Sequence, residues 1–79
     1  MKASSKTYFI FNENSILISY DNQIDSELVY AISNNKINIE KHIKGCIIEI
    51  VQSINSLLII FDKDRISMNE LISDLKKIE

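Results

Sequence analysis

Two segments of the 79-residue chain resemble each other, and this internal repeat most constrains the fold. Residues 14–21 read NSILISYD and residues 55–62 read NSLLIIFD, so they agree in character everywhere except Ser19 against Ile60. A β-branched and aromatic run precedes each segment, and a helical pattern follows it. The strand-strand-helix order thus occurs twice. It predicts an α+β fold of two layers, β-β-α-β-β-α, with a four-stranded antiparallel sheet and two helices on one face.

The strands are predicted from runs rich in isoleucine, valine and aromatic residues. These runs are residues 7–11, 15–20, 46–51 and 55–61. The polar spacer 12–14 has the length that closes a hairpin, and residues 52–54 are predicted to turn the second pair. Residues 62–65, which read DKDR, are predicted to form a charged loop before the second helix.

The first helix has a predicted start and end but an interrupted middle. Asp25 is the expected N-cap, and Ile24 and Val29 are spaced to form a hydrophobic staple. The single glycine, Gly45, marks the C-terminal end. Residues 33–35 are three poor helix formers, so we expect a kink or break there. The predicted apolar face consists of Leu28, Ile32, Ile39 and Ile43.

The second helix has the clearest signals in the chain. Ser67 and Glu70 have the spacing of a capping box, and Ile66 and Leu71 that of a staple. One face of the helix is predicted to be apolar. Its residues are Met68, Leu71, Ile72, Leu75 and Ile78.

The strands carry more apolar side chains than one covered sheet face requires. Residues 8–11 and 57–61 are unbroken apolar runs, although a two-layer domain buries only one face of its sheet. We therefore expect the helix-free face to bind a protein partner or a second copy. The alternative is that loops or chain ends cover it, or that the strands are simply rich in isoleucine. The candidate interface residues are Phe9, Phe11, Leu58 and Ile60, with Gln52, Ile54 and Asn55 in the second turn.

Composition and length restrict the class of protein. The chain is long enough for one core, so we expect a flexible segment at residues 1–6 and a single domain at 7–79. A formal net charge of −2 and scattered basic residues argue against nucleic-acid binding. No long apolar segment or signal peptide is evident, and Cys46 is the single cysteine. These features predict a cytoplasmic protein that does not bind membranes.

The residues that could carry chemistry are few and isolated. His42 lies near a helix end without metal-ligand neighbours, and Cys46 begins an apolar strand, where a cysteine is usually a small buried hydrophobe. Asp62 and Asp64 flank a lysine, which is more typical of a solvated turn than of a cation site. We therefore predict no catalytic, cofactor-binding or metal-binding residue, and a chain that is not an enzyme by itself.

The pattern resembles the N-terminal domain of the KipI family, whose members include one of the chains of 5-oxoprolinase and allophanate hydrolase subunit 1. The resemblance extends over roughly residues 8 to 78. The segments that carry it are 13–20, 24–28, 45–51 and 56–62. It implies the fold predicted above, normally followed by a cyclophilin-like β-barrel domain. Family members act within a multi-subunit ATP-dependent 5-oxoproline hydrolase or, as KipI does, inhibit a sporulation histidine kinase.

The resemblance implies a role in docking, with three alternatives. The first is an accessory, non-catalytic part of a 5-oxoprolinase-like assembly, which contacts other oxoprolinase subunits or the barrel domain. The second is a stand-alone histidine kinase inhibitor, and the third is an enzyme subunit that contributes to a shared active site. The family typically has proline, an aromatic residue and arginine where this chain has Gln52, Ile54 and Asn55. It also often has proline at the positions of Lys44 and Lys63, so contacts of these turns in relatives do not carry over.

Overall fold

Six elements follow one another in the predicted order. A computed structural model describes residues 6–20 and 26–78. The elements are β1 (Lys6–Asn12), β2 (Ser15–Tyr20), α1 (Ser26–His42), β3 (Ile47–Gln52), β4 (Ser56–Phe61) and α2 (Met68–Ile78). The predicted α+β class and the β-β-α-β-β-α order are confirmed. The expected cap at Asp25 and staple residue Ile24 lie outside the described residues.

The four strands form one antiparallel sheet in the order β1-β2-β4-β3. The two repeated segments, β2 and β4, are therefore neighbours at its centre. Leu17 opposes Leu58 in their register, and these two leucines also occupy equivalent positions in the sequence repeat. The two halves of the sheet are thus related by an approximate two-fold axis that passes through this pair.

The core lies between the sheet and the two helices. Alternate residues of the central strands are buried there, as the two-residue period of a strand requires. They are Ile16, Ile18 and Tyr20 on β2 and Leu57, Ile59 and Phe61 on β4. The helices contribute Leu28, Ile32 and Ile39, then Ile43 just beyond α1, and Leu71 and Leu75. Both predicted helix faces point into this core, so both helices cover the same face of the sheet.

Helix α1 runs without interruption, so the predicted break at residues 33–35 is wrong. The side chains of this polar stretch are bonded to the sheet. The side-chain amide of Gln52 on β3 donates a hydrogen bond to Ser33 Oγ, at an N to O distance of 3.0 Å. Asn35 Nδ2 donates to the hydroxyl of buried Tyr20 at 2.9 Å. These tertiary hydrogen bonds favour the helical conformation in a segment whose propensity disfavours it.

The helix boundaries otherwise follow the sequence signals. Glu70 N–H donates to Ser67 Oγ and Ser67 N–H donates to Glu70 Oε1, each at an N to O distance of 3.1 Å. The predicted capping box is therefore confirmed. Helix α1 ends at His42, and Gly45 follows with φ at +83°. That left-handed conformation favours glycine, because other residues would place a Cβ against the backbone.

Candidate interface on the helix-free face of the sheet

Four apolar residues form a continuous row across the sheet on the side away from the helices. Phe9 opposes Leu17, Leu17 opposes Leu58, and Leu58 opposes Val51, so one residue comes from each strand. Directly opposed residues of an antiparallel sheet point to the same face. Their chain neighbours on β4, Leu57 and Ile59, are buried against the helices. We call these four residues the apolar row.

Three further apolar residues extend the row toward one end of the sheet. Ile60 lies two residues beyond Leu58 on β4, on the same face. Both edge strands have a β-bulge beside it, between Ile10 and Asn12 on β1 and between Ile47 and Glu49 on β3. The bulges present Phe11 and Ile48, which are exposed. The helix-free face is hereafter the apolar row with Phe11, Ile48 and Ile60.

This face is accessible to solvent in the part of the chain that the structure describes. Phe9 is 50% exposed and Val51 43% exposed, and the central Leu17, Leu58 and Ile60 are half-buried. Taken with the two bulge residues, the face exposes roughly 500 Å² of apolar surface, at the upper end of what a soluble monomer exposes. Burying it would yield about 12 kcal/mol of hydrophobic free energy, comparable to the cost of association of about 4 to 15 kcal/mol.

The polar positions of the same face are almost uncharged. Thr7, Ser15, Ser19 and Ser56 occupy them on β1, β2 and β4. Glu49, which opposes Ile60 from the edge strand β3, is the only charged residue among those the structure describes on this face. Among the described residues, this face therefore combines an apolar centre with hydroxyl groups and a single acidic group at its margin.

The predicted candidate residues divide into three places. Phe9, Leu58 and Ile60 lie on the helix-free face, with Phe11 at its bulged edge. Gln52 does not lie there or in the turn: it ends β3, opposes buried Leu57, and its amide bonds to helix α1. The expected position of Gln52 in the turn is therefore corrected, because β3 begins and ends one residue later than predicted and the register directs this side chain toward the helices.

The turn between β3 and β4 is closed by its own hydrogen bonds. Ser53 N–H donates to the carbonyl of Ser56 over 2.9 Å, and their hydroxyl oxygens lie 2.6 Å apart. The carbonyl of Asn55 accepts from Tyr20 N–H, which fixes the turn to β2. Ile54 is exposed at its tip. The turn thus lies at the end of the sheet, beside the apolar row and not within it.

Sequence reasoning missed Leu17, Val51 and Ile48 as members of the face. Leu17 and Val51 belong to predicted strands. Each is next to a buried residue, and because successive side chains of a strand point to opposite faces, both could have been assigned to the helix-free face. Ile48 could not be placed in that way, because the bulge beside it shifts the alternation by one residue. The pairing register is what joins these residues to Phe9 and Leu58.

The isolated polar residues are engaged in local structure. His42 Nδ1 lies 2.8 Å from the carbonyl of Asn38, one turn earlier on α1. One carboxylate oxygen of Asp62 accepts from Asp64 N–H over 3.0 Å and the other lies 3.4 Å from Arg65 Nε. This carboxylate therefore closes its own turn, as the sequence suggested. Cys46 is half-buried at the edge of the core.

Two kinds of feature are absent from the described residues. No three histidine, cysteine, aspartate or glutamate side chains in residues 6–20 and 26–78 are grouped so that they could hold a metal ion. Neither α1 nor α2 has the length and apolar character needed to cross a lipid bilayer.

Comparisons with known proteins identify the relatives of this fold. Residues 7–79 match the family described as carboxyltransferase domain, subdomain C and D. A conserved uncharacterized protein from Pyrococcus horikoshii is similar in structure, with a TM-score of 0.83 and 29% identity over 91% of this chain. Urea amidolyase from K. lactis is similar with a TM-score of 0.85 and 28% identity over 92% of this chain. A search of curated proteins found no match.

The two similar proteins are much longer than the matched region. The chain spans 33% of the Pyrococcus protein and 4% of the urea amidolyase. The family match covers nearly the whole chain, and the likeness to a urea amidolyase agrees with the resemblance to allophanate hydrolase subunit 1. The chain therefore belongs to the carboxyltransferase-domain family, subdomain C and D, and the urea amidolyase likeness supports its resemblance to KipI and allophanate hydrolase subunit 1.

Proposed function

We propose that this chain is a non-catalytic docking domain of a carboxyltransferase-type enzyme assembly, an accessory part of the 5-oxoprolinase-like kind. Its partner is another domain or subunit of the same assembly, and its contact surface is the helix-free face. The observation that carries the proposal is the apolar row, which crosses all four strands in register and is left accessible to solvent.

The family relationship supports an assembly as the setting. In the Pyrococcus protein and in the urea amidolyase, the region similar to this chain is accompanied by much more polypeptide. A two-layer domain attached to further protein has one sheet face free for contact, because its helices already cover the other. Such an assembly would work in the cytosol, where a single cysteine such as Cys46 stays reduced.

The geometry favours docking over a contribution to a shared active site. The carboxylate of Asp62 is occupied by the Asp64 amide and the Arg65 side chain, and His42 is engaged with its own helix. The face itself offers hydroxyls and one carboxylate, that of Glu49, around apolar groups. These groups fit the recognition of a protein surface better than a proton-transfer reaction, which requires groups with matched pKa values close to one another.

The test is to co-purify the chain with carboxyltransferase-family subunits from its own source, using variants of the face. Val51→Lys adds a charge to the exposed end of the apolar row, and Leu58→Lys adds one at its centre. Tyr30→Lys is the matched control, because Tyr30 is exposed on α1, on the other side of the molecule. We expect the wild-type chain and the control to retain a family subunit, and both face variants to lose it.

Two results would contradict the proposal. One is that both face variants still retain the subunit, and the other is a reconstituted enzyme whose turnover falls with Asp62→Asn while assembly is unchanged. The second result would favour the shared active site. Circular dichroism of each variant confirms that the fold is intact, which is expected because Val51 and Tyr30 are exposed.

A further inference from the structure

The edge strand β1 exposes large apolar side chains on both of its faces. Phe9 and Phe11 point to the helix-free side, whereas Ile10 opposes buried Ile16 and points to the helix side, where it is nevertheless 64% exposed. A partner bound flat on the helix-free face would cover the phenylalanines and leave Ile10 in water. A strand added beside β1 would cover all three side chains, because a paired strand has neighbours on both faces.

The backbone of β1 is oriented for such pairing. Phe61 N–H donates to the carbonyl of Asn14, and Tyr20 N–H donates to that of Asn55, so the even-numbered residues of β2 bond to β4. The odd-numbered residues of β2 therefore bond to β1, where their partners are Phe9 and the other odd-numbered residues. The backbone groups of Ile10 are consequently directed away from β2, toward the edge. Among the described strands, β1 pairs with β2 alone.

The two edges of the sheet differ in how they discourage pairing. Natural edge strands are protected by charges, prolines or bulges. Edge strand β3 carries Glu49 directly beside its bulge. Between Thr7 and Phe11, β1 has neither a charge nor a proline, and its own bulge begins only after Ile10. The edge of β1 is therefore the more open to another strand.

We propose that β1 pairs with β1 of a second copy of this chain in an antiparallel, two-fold symmetric arrangement centred on Phe9. In that register Phe9 opposes its own copy, Ile10 opposes Tyr8, Thr7 opposes Phe11, and Lys6 opposes Asn12. Each exposed apolar residue meets an apolar or hydroxyl-bearing partner, and no charge opposes a like charge. The pairing makes an eight-stranded sheet whose helix-free faces are continuous.

The area involved fits a weak dimer. Phe9, Ile10 and Phe11 together expose about 350 Å² per copy, so their burial in two copies removes about 700 Å² before backbone atoms are counted. Stable complexes bury at least roughly 1,000 Å² in total, so this contact lies near the lower limit. The net charge of −2 per copy adds little repulsion. The dimer should therefore form with rising protein concentration.

Cysteine cross-linking tests the register. In a Cys46→Ala background, Phe9→Cys places two thiols opposite each other at a pair without mutual hydrogen bonds, where Cα atoms lie about 4.5 Å apart and a disulfide fits. Thr7→Cys is the control, because Thr7 opposes Phe11 in this register. A mild oxidant should convert the Phe9→Cys chain to a covalent dimer and leave the Thr7→Cys chain monomeric. Cross-linking of Thr7→Cys to itself would overturn the register and the proposal.

Sedimentation over a concentration series tests the association itself. Ile10→Lys should weaken it by about tenfold or more, because each dimer receives two buried charges. Ile37→Lys is the control, since Ile37 is half exposed on α1, and it should leave the dimer unchanged. A chain that is monomeric at every concentration, or a dimer that is indifferent to Ile10→Lys, would overturn the proposal.

This inference does not depend on the proposed docking function, and the variants separate the two. Ile10 lies on the helix side, so Ile10→Lys should weaken self-pairing by about tenfold or more while the chain still captures an enzyme subunit. Val51→Lys lies on the opposite edge strand and should abolish that capture while self-pairing persists. Failure of one proposal therefore leaves the other standing.

Discussion

Leu57 and Leu58 are chain neighbours on β4, and the same substitution to alanine should cost them very different amounts of stability. Leu57 is 0% exposed among the core residues, whereas Leu58 lies half-buried on the helix-free face. Leu57→Ala removes buried methyl groups and leaves a cavity closed by neighbours on all sides, which costs about 3 to 4 kcal/mol. Leu58→Ala loses partial burial and leaves no closed cavity, so its expected cost is about 1 kcal/mol.

Urea unfolding followed by circular dichroism measures both free energies. A domain of this size has a denaturant slope of about 1 kcal/mol per molar, so the midpoint should fall by about 3 M for Leu57→Ala and about 1 M for Leu58→Ala. The total stability of such a chain is only about 4 to 12 kcal/mol, and Leu57→Ala removes a large part of it. Milder substitutions at the next two positions should show the same difference: Ile59→Val should lower the free energy of unfolding by about 1 kcal/mol, and Ile60→Val by a few tenths of a kcal/mol.

Equal losses at the two positions of either pair would refute the reasoning. They would mean that the helix-free face is packed as tightly as the core, and that no surface remains for a partner. The converse measurement is binding: Leu58→Ala should weaken capture of the enzyme subunit, although it leaves the isolated domain folded.

Three further predictions concern local structure and are checked by the same urea unfolding. Ser67→Ala and Glu70→Ala should each lower the free energy of unfolding by about 1 kcal/mol. The double variant should lose less than the sum, because the two hydrogen bonds form one reciprocal cap; additive losses would contradict a shared cap. Gly45→Ala should lower the free energy of unfolding by about 1 kcal/mol through local backbone strain alone, since an added Cβ would meet no atom within 4 Å outside the residue and its two chain neighbours; an unchanged midpoint would contradict this origin. Gln52→Ala should cost about 1 kcal/mol, and the further change Ser33→Ala should add little, because the two side chains bond to each other; full additivity would show that they act separately.

The elements that the sequence predicted best are those whose stability is local. Helix α2 has its cap, its apolar face and its first turn within a few consecutive residues, and all three are found where the pattern placed them. The strand-strand-helix repeat likewise predicted the order of elements and the class of fold. Each of these signals depends on residues that are close in sequence.

The failures concern contacts between distant residues. Helix α1 passes through Ser33 and Asn35 because side chains of Gln52 and Tyr20, on two different strands, bond to them. No local propensity contains that information. Gln52 itself lies at the end of β3, paired with Leu57, and not in the predicted turn, so its side chain can reach Ser33.

The candidate surface was predicted in part for a related reason. Unbroken apolar runs indicated that two strands expose residues on their free side, and this identified Phe9 and Leu58. Joining them into one surface requires the strand order, which places β2 between β1 and β4 and brings in Leu17. Only the pairing register shows that these residues lie in one line.

The approximate two-fold axis through Leu17 and Leu58 has a consequence for how a partner is oriented. A surface with perfect internal symmetry would accept the same ligand in two poses that differ by a half turn. The one dissimilar position of the repeat, Ser19 against Ile60, lies on this very surface and breaks the degeneracy. The central strands therefore present an isoleucine beside Ser15 at one end and a serine beside Ser56 at the other. This one divergent position gives the two repeated strands a surface with a defined direction.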